Sequence, residues 1–152
     1  MVDEAFPEDL EPDRFIPGRL YSVSGRKLYV YPTLDSQPQL SSLPAQLGVL
    51  TVRSHVTRPG VVAAGTTDGL YLSRDSGITW DRVEVRNAAL GQVSAIFFDL
   101  SDPSVLYLGT SQGAFRVQLG TASERRLRES RPREGAHSYI EGEKGTVQRL
   151  VP

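Results

Sequence analysis

The sequence predicts an all-β protein built from about three propeller-type blades. Three observations point there. Short runs rich in Val, Leu, Tyr and Phe recur along the chain, punctuated by Gly, Pro, Asp and Ser. No stretch of helical length carries an i, i+3, i+4, i+7 apolar stripe free of Gly or Pro. One segment repeats after 44 residues, close to the period of a four-stranded blade.

Residues 1–17 hold Asp3, Glu4, Glu8, Asp9, Glu11 and Asp13 against a single base, Arg14, together with Pro7, Pro12 and Pro17. So polar a segment buries little surface to offset its ordering entropy, and it reads as an extended acidic arm outside the blades. Blades are expected over residues 18–119, with strands at 19–23, 27–31, 49–56, 61–65, 69–73, 79–85, 93–98, 105–109 and 113–119. Residues 99–103 read as a turn. Residues 120–135 form an Arg-rich flexible loop carrying Arg125, Arg126, Arg128, Arg131 and Arg133. Residues 136–152 then close the last blade with strands at 137–141 and 146–151. About eleven strands make about three blades, fewer than the roughly four of the smallest closed propellers. Completion by oligomerisation or by a partner follows as an expectation.

The repeat aligns Val61-Val62-Ala63-Ala64-Gly65-Thr66-Thr67-Asp68-Gly69-Leu70-Tyr71 on Val105-Leu106-Tyr107-Leu108-Gly109-Thr110-Ser111-Gln112-Gly113-Ala114-Phe115 without gaps. Pro59 and Pro103 lead into the two copies. Each contains Gly-Thr-x-x-Gly, whose two glycines are expected to supply the φ > 0 backbone of a hairpin turn. A weaker copy at residues 20–29 sets Leu28-Tyr29 42 positions before Leu70-Tyr71, with a turn read as one residue shorter.

The sharpest motif is Ser73-Arg74-Asp75-Ser76-Gly77-Ile78-Thr79-Trp80, of the form S-x-D-x-G-x-T-W. Ser73 and Asp75 are suited to bonding the amides of their own turn, and Gly77 to a left-handed backbone. Thr79 starts the next strand, and Trp80 is large enough to fill the space between sheets. This segment, with the lead-in from Pro59, resembles the Asp-box (BNR) repeat of sialidases, sortilin-type receptors, xyloglucan-degrading glycosidases and a photosystem II assembly factor. The resemblance implies a propeller in which Ser73, Asp75, Gly77, Thr79 and Trp80 are structural and stand away from any catalytic centre. The equivalent boxes are absent after Val117 and after Tyr31, so the array is degenerate.

Function is less legible. The 152 residues carry a formal net charge of -1, which argues against nucleic-acid binding driven by bulk electrostatics. The absence of Cys rules out disulfides, zinc ribbons and thiol catalysis. His55 and His137 lack metal-ligand spacing, and Asp68, Asp75 and Asp81 lack the alternation of a calcium loop, so no metal and no cofactor is expected. No motif ties any Arg, Asp, Tyr or Glu to the roles they hold in a sialidase, so no catalytic residue is assigned. Tyr21, Tyr29, Tyr31, Tyr71, Tyr107, Phe97, Phe98 and Phe115 read mainly as inter-sheet packing, the Phe97-Phe98 pair fitting a strand covered on both faces. The expectation is a non-catalytic interaction or assembly module that uses blade-edge loops. Its partner is another protein or a second copy, and the Arg residues of the 120–135 loop are candidate contacts for a carboxylate surface such as the acidic arm. The alternatives are a carbohydrate-binding or glycosidase-related protein, and an RNA-contacting accessory protein using Arg125–Arg133. With no leader, membrane-spanning run or glycosylation sequence visible, a cytoplasmic location is expected.

Overall fold

The computed structural model describes residues 6–85, 88–120 and 144–150. The first sheet is β1 (Asp9–Pro12), β2 (Leu20–Ser24), β3 (Lys27–Tyr31) and β4 (Gln39–Leu40), paired in that order. The second is β5 (Val49–Ser54), β6 (Val62–Thr66), β7 (Gly69–Ser73) and β8 (Asp81–Arg82). The third is β10 (Val93–Phe98), β11 (Val105–Thr110), β12 (Gly113–Leu119) and β13 (Lys144–Leu150), with β9 (Glu84–Val85) added in parallel beside β13. These are antiparallel meanders of propeller type, and no described residue is helical.

Alternation along the strands builds two apolar layers. Tyr21, Val23 and Leu28 of the first blade meet Val52, Val62 and Ala64 of the second. Ala63, Leu70 and Leu72 on the second blade's other face meet Ile96, Phe98, Leu106, Leu108, Phe115 and Val117 of the third. The second blade lies between two neighbours, so β6 is buried at every position. We call the face a blade turns toward the next blade its front, and the opposite face its back.

Several expectations need correction. Residues 9–12 belong to the first blade rather than to an arm outside it: β1 pairs with β2, joining Asp9 to Val23 and Pro12 to Leu20. Its carboxylates replace apolar contacts as anchors. Asp9 Oδ2 accepts from Val52 N (3.1 Å), Thr51 Oγ1 (2.8 Å) and Arg53 Nη1 (2.7 Å), and Glu11 Oε1 accepts from Ser54 N (3.0 Å). β5 is an edge strand, and these acids cap its outward amides. Burial pushes the Glu11 carboxyl up, while the Ser54 amide and Arg53 oppose that shift.

The glycines of Gly-Thr-x-x-Gly divide their work. Gly69 and Gly113 have φ of 90° and 121°, as the turns require. Gly65 has no positive φ; a Cβ there would collide with the carbonyl oxygen of Val93 on the next blade. The β2–β3 turn is not shorter, since Ser24 pairs with Lys27 as Thr66 pairs with Gly69. It differs in kind, with Gly25 at φ 56° and Arg26 at φ 60°.

The strand expected at 79–85 divides at Val83 into β8 on the second blade and β9 on the third. The Phe97-Phe98 pair is not covered on both faces: Phe98 is 4% exposed and Phe97 61%, because the front of the third blade has no described neighbour. Residues 121–143, with the five arginines, His137 and the strand expected at 137–141, lie outside the described residues.

Candidate interaction surface

Antiparallel pairing sends the β1–β2, β3–β4, β5–β6, β7–β8 and β10–β11 connections to the same end of their sheets. The S-x-D-x-G-x-T-W motif is one of them. Ser73 Oγ accepts from Gly77 N (2.8 Å) and donates to Asp75 Oδ1 (2.8 Å). Asp75 accepts the Thr79 amide on Oδ1 (2.8 Å) and the Thr79 hydroxyl on Oδ2 (2.5 Å). Trp80 Nε1 donates to Gly77 O (3.1 Å), and its ring packs between the first and second blades. Ser76 and Gly77 both have positive φ, 60° and 85°. Burial acts to raise the Asp75 carboxyl, but the bonds from Thr79 and Ser73 outweigh it and hold the group below the usual carboxylate range. The side-chain polar atoms of Ser73, Asp75, Thr79 and Trp80 bond within the motif, and the hairpin displays Ile78, 70% exposed.

A second device, unrecognised in the sequence, shapes the connection after the first strand of each blade. Asp13 Oδ1 accepts from Phe15 N (2.8 Å) and Ile16 N (2.9 Å), while Oδ2 accepts from Tyr21 Oη (2.8 Å). Asp99 Oδ1 accepts from Ser101 N (2.8 Å) and Asp102 N (3.0 Å), while Oδ2 accepts from Tyr107 Oη (3.0 Å). The second blade has His55 at this position. Its Nδ1 accepts from Thr57 N and Arg58 N, each at 3.0 Å, and its Nε2 faces Pro103 O at 2.7 Å. Because Nδ1 accepts, Nε2 carries the proton. The sequence signal was available: the Asp-x7-Tyr spacing occurs at Asp13–Tyr21 and again at Asp99–Tyr107.

These groups titrate according to their settings. Hydrogen bonds from Ser101 and Asp102, with a further one from Tyr107, hold the Asp99 carboxyl far below the ordinary range. Burial pushes the Tyr21 phenol well up, with the Asp13 carboxylate adding to it. Burial lowers His55, aided by Arg58 and opposed by the Pro103 carbonyl.

These turns, with the β3–β4 turn closed by Ser36 N donating to Thr33 O (3.1 Å), hold apolar side chains outward at one end of the blades: Phe15 and Ile16, Leu34, Ile78 and Leu100, of which the last is 72% exposed. Neighbouring blades meet at this end: Gly77 of the β7–β8 hairpin lies beside the Tyr21 ring of β2, and His55 of the β5–β6 connection bonds Pro103 O of the β10–β11 connection. A cavity of about 360 Å³ opens at the opposite end, bounded by Gly69, Val83, Leu90 and the Asp68–Arg82 ion pair (3.2 Å). Among the described residues no group of three or more His, Asp or Glu is gathered as metal ligands, and no helix is long and apolar enough to cross a membrane.

No family model matches the chain. No curated protein matches it. Solved structures do match, among them "YCF48 bound to D1 peptide", with a TM-score of 0.53 and 16% sequence identity. The alignment covers 80% of this chain and 40% of that one, so this chain spans less than half the neighbour's length. This is a propeller-type fold. A likeness at that identity carries the architecture and leaves function to be argued from the surface.

Proposed function

We infer that this chain is a non-catalytic protein-interaction module whose partner docks on the loop end of the blades. One observation carries the reading. Of the ten large hydrophobic side chains exposed among the described residues, five (Phe15, Ile16, Leu34, Ile78 and Leu100) lie on loops at that one end. Apolar groups gathered on a rigid polar scaffold are the usual mark of a protein-binding face. The Asp-box-like residues Ser73, Asp75, Gly77, Thr79 and Trp80 act in this reading as scaffold, stiffening the hairpin that presents Ile78. Support also comes from the structural neighbour, which is described with a peptide bound. A partner segment that offers apolar side chains to this rim fits the surface.

The test is a random peptide library displayed on phage and selected on the purified chain, followed by titration of the enriched peptides. Leu34→Glu with Leu100→Glu places charge at two exposed positions. It should weaken binding at least tenfold while leaving the urea midpoint unchanged. Unaltered binding by that variant, or turnover in a fluorogenic glycoside screen, would overturn the assignment.

A further inference from the structure

Besides Phe6, which precedes β1, the exposed large hydrophobics outside the loop end fall on two flanks: Leu10 and Leu40 on the back of the first blade, Phe97 and Leu150 on the front of the third. We propose that two copies of this chain associate head to tail, the front of each third blade seating on the back of the other copy's first blade. The contact goes beyond the loop-end surface and shares none of its five apolar residues.

The repeat identifies the occupant. In-chain pairing aligns three cross-strand rows: Leu10–Ser22–Tyr29–Leu40, Val52–Ala64–Tyr71–Arg82 and Ile96–Leu108–Phe115–Arg149. In the second and third blades this row packs under the preceding blade, leaving Val52 at 0%, Ala64 at 0% and Leu108 at 2% exposure. In the first blade the same row is open, with Leu10 at 49% and Leu40 at 60%. The fronts align likewise. Tyr107 and Gly109 of the third blade stand where Tyr21 and Gly65 stand in the first and second. Tyr21 is fully buried and Gly65 receives the backbone of Val93, whereas a Cβ at Gly109 would meet only Ala95 of its own sheet. Each open flank is therefore a copy of a face that, within this chain, is covered by a blade.

Two chemical details favour a second copy. At the first junction Asp9 and Glu11 accept the edge amides of Val52 and Ser54. Their equivalents on the third blade, Ala95 and Phe97, offer no acceptor. The first blade needs none, since Leu10 N already donates to Asp9 Oδ1 (3.1 Å) and Pro12 has no N–H. Arg116 occupies the front position held by Leu72 in the second blade, and the back of the first blade carries Tyr29 and Tyr31, whose rings and hydroxyls suit a guanidinium. Used in both directions, the contact joins two sets of three blades into a ring whose size is usual for propellers.

Sedimentation velocity on the purified chain over a wide concentration range tests this. The expected species has twice the 16.7 kDa of one chain. Leu10→Glu alters only the back flank and Phe97→Glu only the front. Both side chains are exposed in the single chain, so circular dichroism and the urea midpoint of the dissociated protein should stay as in the parent. Each variant alone should be monomeric at concentrations where the parent is dimeric, its dissociation constant raised at least tenfold. A parent chain monomeric at every concentration would overturn the proposal. So would a dimer broken by one of the two variants and untouched by the other, because that pattern means pairing of like faces. Both readouts are masses, so failure here leaves the peptide-binding test of the loop end unaffected.

Discussion

Asp13, His55 and Asp99 show how one position sets a turn by hydrogen-bond acceptance alone. Two carboxylates and one neutral imidazole take the amides of residues two and three positions on. Only the imidazole loses that acceptor on protonation near neutral pH. An unfolded histidine titrates near about 6.5, and burial places the folded group lower. The contribution of His55 is therefore complete above the unfolded value and declines as pH falls toward the folded one. The urea midpoint of the parent should drop between about pH 7 and pH 5. His55→Asn should be less stable at pH 7 by about 1–3 kcal/mol and show a flatter dependence over that window. Asp75 acts at lower pH. Its folded value is depressed, so its contribution is present above the unfolded value of about 3.9 and lost on further acidification. Asp75→Ala should cost about 1–2 kcal/mol at neutral pH, read from urea denaturation. The same variant should be less sensitive to acid than the parent below about pH 4.

The short strands answer for more than their length suggests. β1 has four residues, yet it supplies the acids that cap the free edge of β5. Deleting residues 1–14 should lower the urea midpoint markedly or prevent folding, whereas loss of an appendage would leave it unchanged. The paired glycines give a second comparison. Gly65→Ala pushes a methyl into the carbonyl of Val93 and should destabilise the chain by about 2–4 kcal/mol. At Gly109 the tightest contact is the Ala95 methyl at 3.1 Å, so Gly109→Ala should cost the isolated chain much less. Thermal denaturation of both variants at low protein concentration checks the order.

At the scale of the whole molecule, the three described blades leave two flanks with no described neighbour. If these meet in a second copy, folding is linked to association, and the melting temperature should rise with protein concentration. Phe97→Glu should remove that rise while leaving the melting temperature of the dilute protein in place. A scan of melting temperature against concentration for parent and variant reads this directly.

The amino-acid sequence by itself determined the local chemistry: alternating apolar positions for most strands, a self-bonded Ser73–Trp80 hairpin, and a repeat whose register the sheets keep. Such features depend on neighbours within a few residues or on a fixed period, and both are written along the chain. It did not disclose β1 or the two-residue β4, because neither carries an apolar alternation long enough to read. Nor did it disclose that Gly65 is required for close approach, that residues 79–85 pass from one blade to the next, or that Phe97 is open while Phe98 is buried. Those outcomes were decided by tertiary structure, because each depends on whether a blade stands beside a given face, and that blade comes from a distant part of the sequence.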